Sequence, residues 1–255
     1  MGPPFLKASW QYLAMASFPV DPAVLRPLVP AGTELDAYAG RNFVSVAGYL
    51  RLDTAALGVR IPFHRAFEEV NLRFYVRRKM PDGWRRGVVF VRKIVPRRMV
   101  AWAAWCFYGE PCLALPMKHS IEGKDGNVRV EYAWCRGGAW ESLRMQAVGI
   151  SQPVAKGSLE EFIAEHGWGY MARPGGSGEY RVEHPRWSFW PVTACELACD
   201  VATLYGPEFT DSLASPCAAA FLADGSEVVV GHRSPCSVEA PAELIPDPSL
   251  PGYAN

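Results

Sequence analysis

Net charge is the first thing this sequence lacks: Lys plus Arg and Asp plus Glu number 26 each among 255 residues. No overall field draws the chain to nucleic acid or to an anionic membrane, so any basic partner surface has to be local. The clusters Arg77-Arg78-Lys79, Arg85-Arg86 and Arg97-Arg98 fall near predicted strand ends, where solvated charge is the usual explanation. Long apolar runs are also missing. The longest, residues 99–108, has ten residues, about half of what a membrane span needs, and the N-terminal MGPPFLKASW shows no charged leader, apolar stretch and cleavage site. A soluble, cytoplasmic protein without nucleic-acid or membrane partners is expected. The seven cysteines include no CxxC pair. Cys195 and Cys199 suit one helix face, but no His lies close enough in sequence for a zinc signature, so no metal is expected and the thiols read as small buried hydrophobes in a reducing compartment. Glycine-rich phosphate loops, HExxH and GxSxG are absent, which removes the main sequence support for phosphate-loop nucleotide binding, for that zinc hydrolase type and for nucleophile-elbow hydrolases. Lysine is scarce, six against twenty arginines.

What is present describes an ordinary folded protein: 49% apolar and 20% charged residues, enough to bury a sizeable core. All-β domains reach this length as one unit, so residues 1–255 are expected to form a single domain with a Pro-rich tail from about 240. Twenty-three Gly and 22 Pro separate short β-branched and aromatic segments, a pattern of many strands and few helices. Strands are predicted at 43–52, 69–77, 87–95, 128–134, 142–149 and 221–230, with a loop at 62–65, a hairpin turn at 80–86, a turn at 123–127 and a flexible loop at 173–178. The run 99–108 is apolar throughout and reads as a strand covered on both faces. Asp21 and Pro22 predict a short helix to Leu28, and Ser158 with Glu161 forms a capping box for a second that Gly167 ends. Residues 194–205 read as a third.

Period two in the segment 69–77 puts Glu69, Asn71, Arg73, Tyr75 and Arg77 on one face and Val70, Leu72, Phe74 and Val76 on the other. The second face is core. The first faces either water, as a sheet surface with cross-strand charge pairs, or a wet cavity. Among the lysines, Lys118 follows the apolar run and has His119 beside it, making it the first choice for an amine that forms a Schiff base; Lys93, next to Arg92, is the second. Exposed lysines are the commoner case for both. Cys112 is a candidate nucleophile if His119, His166, His184 or His232 approaches it, and otherwise a buried inert thiol.

The segment Phe67-Glu68-Glu69-Val70-Asn71-Leu72-Arg73, continued by Tyr75, Val76 and Arg77, resembles the core motif of the YqjF-like family in the acetoacetate decarboxylase-like superfamily. Upstream, Phe18-Pro19-Val20-Asp21-Pro22, Leu25-Arg26-Pro27-Leu28-Val29-Pro30 and Leu35-Asp36 resemble its N-terminal signature. Downstream, Phe107-Tyr108-Gly109-Glu110-Pro111, the helix from Ser158 to Phe162 and His184-Pro185-Arg186-Trp187 agree in order, so the likeness covers roughly residues 10–200. The resemblance implies a mostly β fold: an antiparallel barrel or cone around a central cavity, with a few peripheral helices. It makes Glu69, Asn71, Arg73 and Tyr75 cavity residues, joined by Tyr108, Trp105 and Cys112 as ligand contacts. It also exposes two departures. The superfamily decarboxylases carry a Schiff-base lysine straight after the Pro of a G-x-P-K-K step, where this chain reads Gly109-Glu110-Pro111-Cys112-Leu113, and Trp105 stands where relatives carry Arg.

The resulting expectation is a small-molecule pocket protein that needs no cofactor. As an enzyme it would perform lyase-like chemistry on a keto acid or related carbonyl compound, with Arg73 orienting a carboxylate, Glu69 as acid or base, Tyr75 as hydrogen-bond donor and Lys118 as optional amine. As a non-catalytic binding or assembly module, it would use the charged strand as a structural network. The superfamily also implies a possible homo-oligomer.

Overall fold

A computed structural model describes residues 4–60, 66–124 and 126–236 of the chain. The loop predicted at 62–65, Asp125 of the predicted turn and the Pro-rich tail lie outside the described residues. Twelve strands of three residues or more are described: β1 (Leu6–Val20), β2 (Asn42–Ala56), β3 (Ala66–Met80), β4 (Gly83–Val95), β5 (Cys112–Ala114), β6 (Met117–Lys124), β7 (Asn127–Arg136), β8 (Ala139–Val148), β9 (Trp168–Arg173), β10 (Gly176–Glu183), β11 (Ser188–Ala198) and β12 (Ala219–Val230). The fold is mostly β. The helices are short: α1 (Pro22–Leu25), α2 (Arg98–Ala103), α3 (Leu159–Ala164), α4 (Val201–Leu204) and α5 (Thr210–Ala214). No helix among the described residues is long and apolar enough to cross a membrane.

Seven strands close on themselves. β12 pairs with β1, β1 with β2, β2 with β3 and β3 with β4, all antiparallel. β4 then meets β9 in a short parallel contact, β9 pairs with β10, and β10 returns to β12 through Val182–Val230 and Glu183–Val229. A ring with an odd number of strands cannot alternate direction all the way round, so one parallel junction is obligatory. It is made possible by Gly87, where a Cβ would lie 2.6 Å from both the Trp168 carbonyl oxygen and the Tyr170 ring. From β12 a second antiparallel sheet branches off, in the order β11, β8, β7, β6.

Alternation along the ring strands sorts the side chains as the sequence suggests. Ala14, Val44, Val46, Val70, Leu72 and Phe74 point outward and pack with Val130, Tyr132, Trp134, Leu143 and Met145 of the second sheet. Tyr132 presses so closely that a Cβ on Gly48 would sit 2.6 Å from its ring. The inward face carries Leu13, Met15, Phe43, Ala47, Tyr49 and Tyr75. One end of the ring is closed by α3, whose Phe162 lies against Tyr75 at a ring separation of 5.6 Å; Ser158 Oγ accepts from the Glu161 N–H to start that helix. At the other end α2 packs Ala101 on Phe67 and Val95.

Three expectations are corrected here. Residues 99–108 are not a strand: α2 continues into a wide π-helical turn, Ala104–Tyr108, stopped by Gly109 in the left-handed region at φ 68°. Its alanines favour helix, and an uninterrupted apolar run cannot by itself distinguish the two states. Residues 194–198 extend β11, and only Val201–Leu204 of the predicted third helix is helical. The segment 173–178 is a tight turn at 174–175 between β9 and β10.

Candidate functional site

Inside the ring lies a cavity of about 290 Å³, small enough for a metabolite and largely apolar in its walls. Phe5, Leu6, Trp10, Val88, Phe90, Trp187 and Val230 supply the apolar surface, and α2 with its π turn contributes Met99, Trp102 and Phe107 at one end. Polar groups concentrate on β2 and β3, which turn their odd-numbered residues inward over this stretch, and on β4, where a register shift opposite Leu72 and Arg73 brings Lys93 inward after Val88 and Phe90. Arg51, Glu69, Arg73, Lys93 and Glu110 all reach the wall.

Four of these five answer one another. Glu69, buried on β3, accepts from the Tyr49 hydroxyl at 2.7 Å and lies 3.4 Å from Arg51 and 3.8 Å from Lys93. Lys93 donates to Glu110 at 2.5 Å, and the other Glu110 oxygen accepts from the Tyr180 hydroxyl. Burial pushes the Glu69 carboxyl upward, but Arg51, Lys93 and the Tyr49 hydrogen bond outweigh it and hold it below its ordinary value. Glu69 is therefore an ionised counter-charge at neutral pH. Burial and the neighbouring carboxylates push the phenols of Tyr49 and Tyr180 well above their ordinary value, so both are donors.

Arg73 stands apart. Its Nη2 meets the Met15 sulfur at 3.1 Å and it bonds the Tyr75 hydroxyl, while its Nε has no partner and no carboxylate of the described residues lies within ion-pair distance. Among the described residues three cations and two carboxylates face the cavity, so one positive charge is left over, and geometry assigns it to Arg73. Tyr75 passes the polar chain on to Ser45 at 2.6 Å and Ser17 at 2.7 Å. Beside it, His166, itself in the cavity wall, lies tilted against the Tyr75 ring at 4.6 Å and approaches Asp36 through Nε2 at 3.3 Å; Asp36 also accepts from Arg86 at 2.6 Å. Burial drives the His166 imidazole down to about 4, against the pull of Asp36, so the ring is neutral at pH 7.

The residues singled out in the sequence divide accordingly. Glu69, Arg73, Tyr108 and Cys112 line the cavity. Asn71 points inward but is fully buried beneath the wall, and neither its amide oxygen nor its nitrogen has a hydrogen-bond partner among the described residues. Tyr75 is engaged with Ser45 and Arg73 and is not a wall residue. Trp105 is exposed on the π turn and is absent from the wall. Lys118 is exposed on β6 of the second sheet, its amine 4.2 Å from the Trp140 ring centroid, away from the cavity.

The cavity's lysine is instead Lys93, whose backbone pairs in register with Cys112 and whose N–H donates to the Pro111 carbonyl at 2.8 Å. Among the described residues Cys112 meets no histidine; burial, with Glu69 next, raises its thiol to about 12. His119 pairs with Glu68, and His184 stacks on Trp187. The basic clusters are likewise engaged in part: Arg77 with Glu34, Arg78 and Arg85 with Glu179, Arg86 with Asp36. Among the described residues no three His, Cys, Asp or Glu side chains converge as a metal site requires.

Reasoning from sequence missed Arg51, Glu110 and Tyr180. Arg51 could have been found by extending the alternation of the 43–52 strand, which places it with Tyr49 on the inner face. Glu110 and Tyr180 carry no local signal.

Comparison with known proteins agrees with this architecture. YqjF of Bacillus subtilis (strain 168) is 32% identical over 119 residues, 46% of this chain and 48% of that protein, so the alignment spans about half the length of the relative. Acetoacetate decarboxylase from Legionella pneumophila superposes with a TM-score of 0.62 at 11% identity over 92% of this chain and 88% of that one. The enduracididine biosynthesis enzyme MppR, solved with pyruvate, gives 0.64 at 14% over 92% and 91%. These likenesses establish an acetoacetate decarboxylase-like fold. The DUF2071 model, described as an uncharacterized conserved protein, matches residues 7–227, and the chain belongs to that family.

Proposed function

We propose that the barrel interior binds a small carboxylate carrying a second carbonyl, with the Arg73 guanidinium taking the carboxylate and the apolar wall taking the remainder. The observation that carries this reading is the unanswered charge of Arg73 in a cavity where the other four ionised side chains are paired. A partly desolvated cation with free N–H groups is completed by an anion of matching fork geometry. The volume of about 290 Å³ suits a compound of a few carbon atoms, and pyruvate is the recorded ligand of one neighbour of this fold.

A second reading, lyase-like chemistry on a keto acid, is favoured by one observation: Lys93 is the amine that reaches the cavity, directly opposite the Cys112 position. That amine is held by Glu110 at 2.5 Å and is not presented free to a carbonyl compound in the cavity. The binding reading is therefore the stronger one. In it, the Glu69 cluster is the structural network that shapes the floor.

Titration calorimetry with pyruvate, acetoacetate and their neutral amides tests the proposal. The acids should bind, the amides at least tenfold more weakly, and Arg73→Leu should remove that difference. Acids and amides of equal affinity would sink it. Borohydride trapping with the same acids separates the second reading, since only Schiff-base chemistry leaves a mass adduct on Lys93.

A further inference from the structure

The outer face of α2 and its π turn has the wrong polarity for a surface helix. Met99, Trp102, Trp105 and Phe107 are 68%, 62%, 65% and 50% exposed, and the hairpin residues Leu57 and Val59 are exposed to a similar degree. These are one patch. The Leu57 N–H donates to the Phe5 carbonyl at 2.8 Å, and the Phe5 and Phe107 rings are 5.4 Å apart. Three members of the patch, Met99, Trp102 and Phe107, also line the cavity together with Phe5. The exposed apolar surface is thus the rim of the cavity mouth.

We infer that this rim is the contact between two copies of the chain, and that each copy closes the other's cavity. Three observations select a second copy as the occupant. The first is area: six large apolar side chains at half exposure or more amount to on the order of 600 Å² per copy, so two copies bury on the order of 1,200 Å², above the roughly 1,000 Å² of a specific interface. The second is composition. Trp, Phe and Met with Arg97 and Arg98 at the edge match the core and rim of protein interfaces, and no Lys, Asp or Glu interrupts the run 97–108. The third is charge. A chain of zero net charge has no long-range repulsion against its own copy.

The twofold pairing of one patch with itself makes the contact self-limiting, as an isologous dimer requires. Because three of the residues that meet, Met99, Trp102 and Phe107, are wall residues, the mouth of each copy's site is completed by its partner. The inference does not depend on which ligand the cavity takes.

Sedimentation of the full chain at micromolar concentration tests it, together with the Trp102→Ser/Trp105→Ser variant. The wild type should be a dimer and the variant a monomer with unchanged circular dichroism, the dissociation constant rising at least a hundredfold because tryptophans dominate interface energetics. Cys106, exposed between two of the patch aromatics, gives a second readout on the wild type alone: maleimide should label it faster at nanomolar than at micromolar concentration. A dimer that survives the double substitution places the interface elsewhere and overturns the inference. So does a monomeric wild type, whether its Cys106 labels freely, is covered by residues 237–255, or becomes protected only on vesicles containing phosphatidylglycerol.

Discussion

Around Glu69 and around Arg73 the same strand presents charge to the same cavity, yet the two neighbourhoods are built differently. Glu69 is met by a phenol, a guanidinium and an ammonium, and the ammonium is shared with Glu110. Arg73, four residues along β3, meets a thioether and a phenol. The difference separates structure from ligand recognition: a buried charge whose partners are all supplied by the chain belongs to the fold, and one left unanswered beside a cavity awaits something else. The Glu69 and Arg73 substitutions below each break one side of that contrast while leaving the other intact, and the His166 and Lys118 predictions sharpen it from outside.

Glu69→Gln should have the largest effect. The substitution keeps the shape but removes the anion that faces Arg51 and Lys93, and stripping one partner from a buried charge cluster costs about 3–5 kcal/mol. Urea denaturation should show a lowered midpoint at an unchanged slope, equivalent to that loss of unfolding free energy. A loss under about 1 kcal/mol would mean that the cluster is not the structural half of the cavity.

Acid should act through His166. Its folded-state value of about 4 lies below the roughly 6.5 of an unfolded histidine, so between those limits the unfolded chain binds more protons and stability falls as pH drops. The gap corresponds to about 3 kcal/mol at most. His184, also lowered by burial, adds a slope of the same sign. Glu69 and Asp36, both held below their ordinary values, keep their contribution above the unfolded carboxylate range and lose it only at lower pH. Urea midpoints measured from pH 7.5 to 4.5 should therefore decline in the wild type and decline less in His166→Phe; equal slopes would show that the ring is protonated in the folded protein.

Arg73→Leu is the counterpart of the Glu69 substitution. With no carboxylate to orphan, replacing this guanidinium should change stability by less than about 1 kcal/mol, while the affinity for pyruvate falls at least tenfold, about 1.4 kcal/mol. A protein destabilised as much as the Glu69 variant would erase the contrast and assign Arg73 to the fold.

The two-sided alternation from Glu69 to Arg77 was legible because both faces of β3 keep period two, one against the second sheet and one against the cavity. The capping box at Ser158 and the hairpin turn after Met80 were legible for the same local reason. What failed was non-local. Residues 99–108 look like a doubly covered strand because their apolar residues are uninterrupted, yet half of them lie on the open rim of the cavity. Arg51, Lys93, Glu110 and Tyr180 come from β2, β4, the turn before β5, and β10, and only the closed ring brings them together. Their convergence is a property of topology that no window of the sequence contains. Lys118 stood out through the apolar run before it and His119 beside it, neighbours in sequence that leave it on the outside of the second sheet.

Lys118→Met should have the smallest effect and is the control for that lesson. The side chain is exposed, and its one recorded interaction is a cation–π contact with Trp140 at 4.2 Å, a type worth about 0.5–1 kcal/mol at the surface. Urea stability should shift by no more than that, and pyruvate affinity should stay within twofold, because the amine neither lines the cavity nor touches a residue that does. A tenfold loss of affinity would bring Lys118 into the site and reopen the choice between it and Lys93 as the amine; an unchanged affinity leaves Lys93, paired with Glu110 inside the ring, as the amine available to any chemistry there.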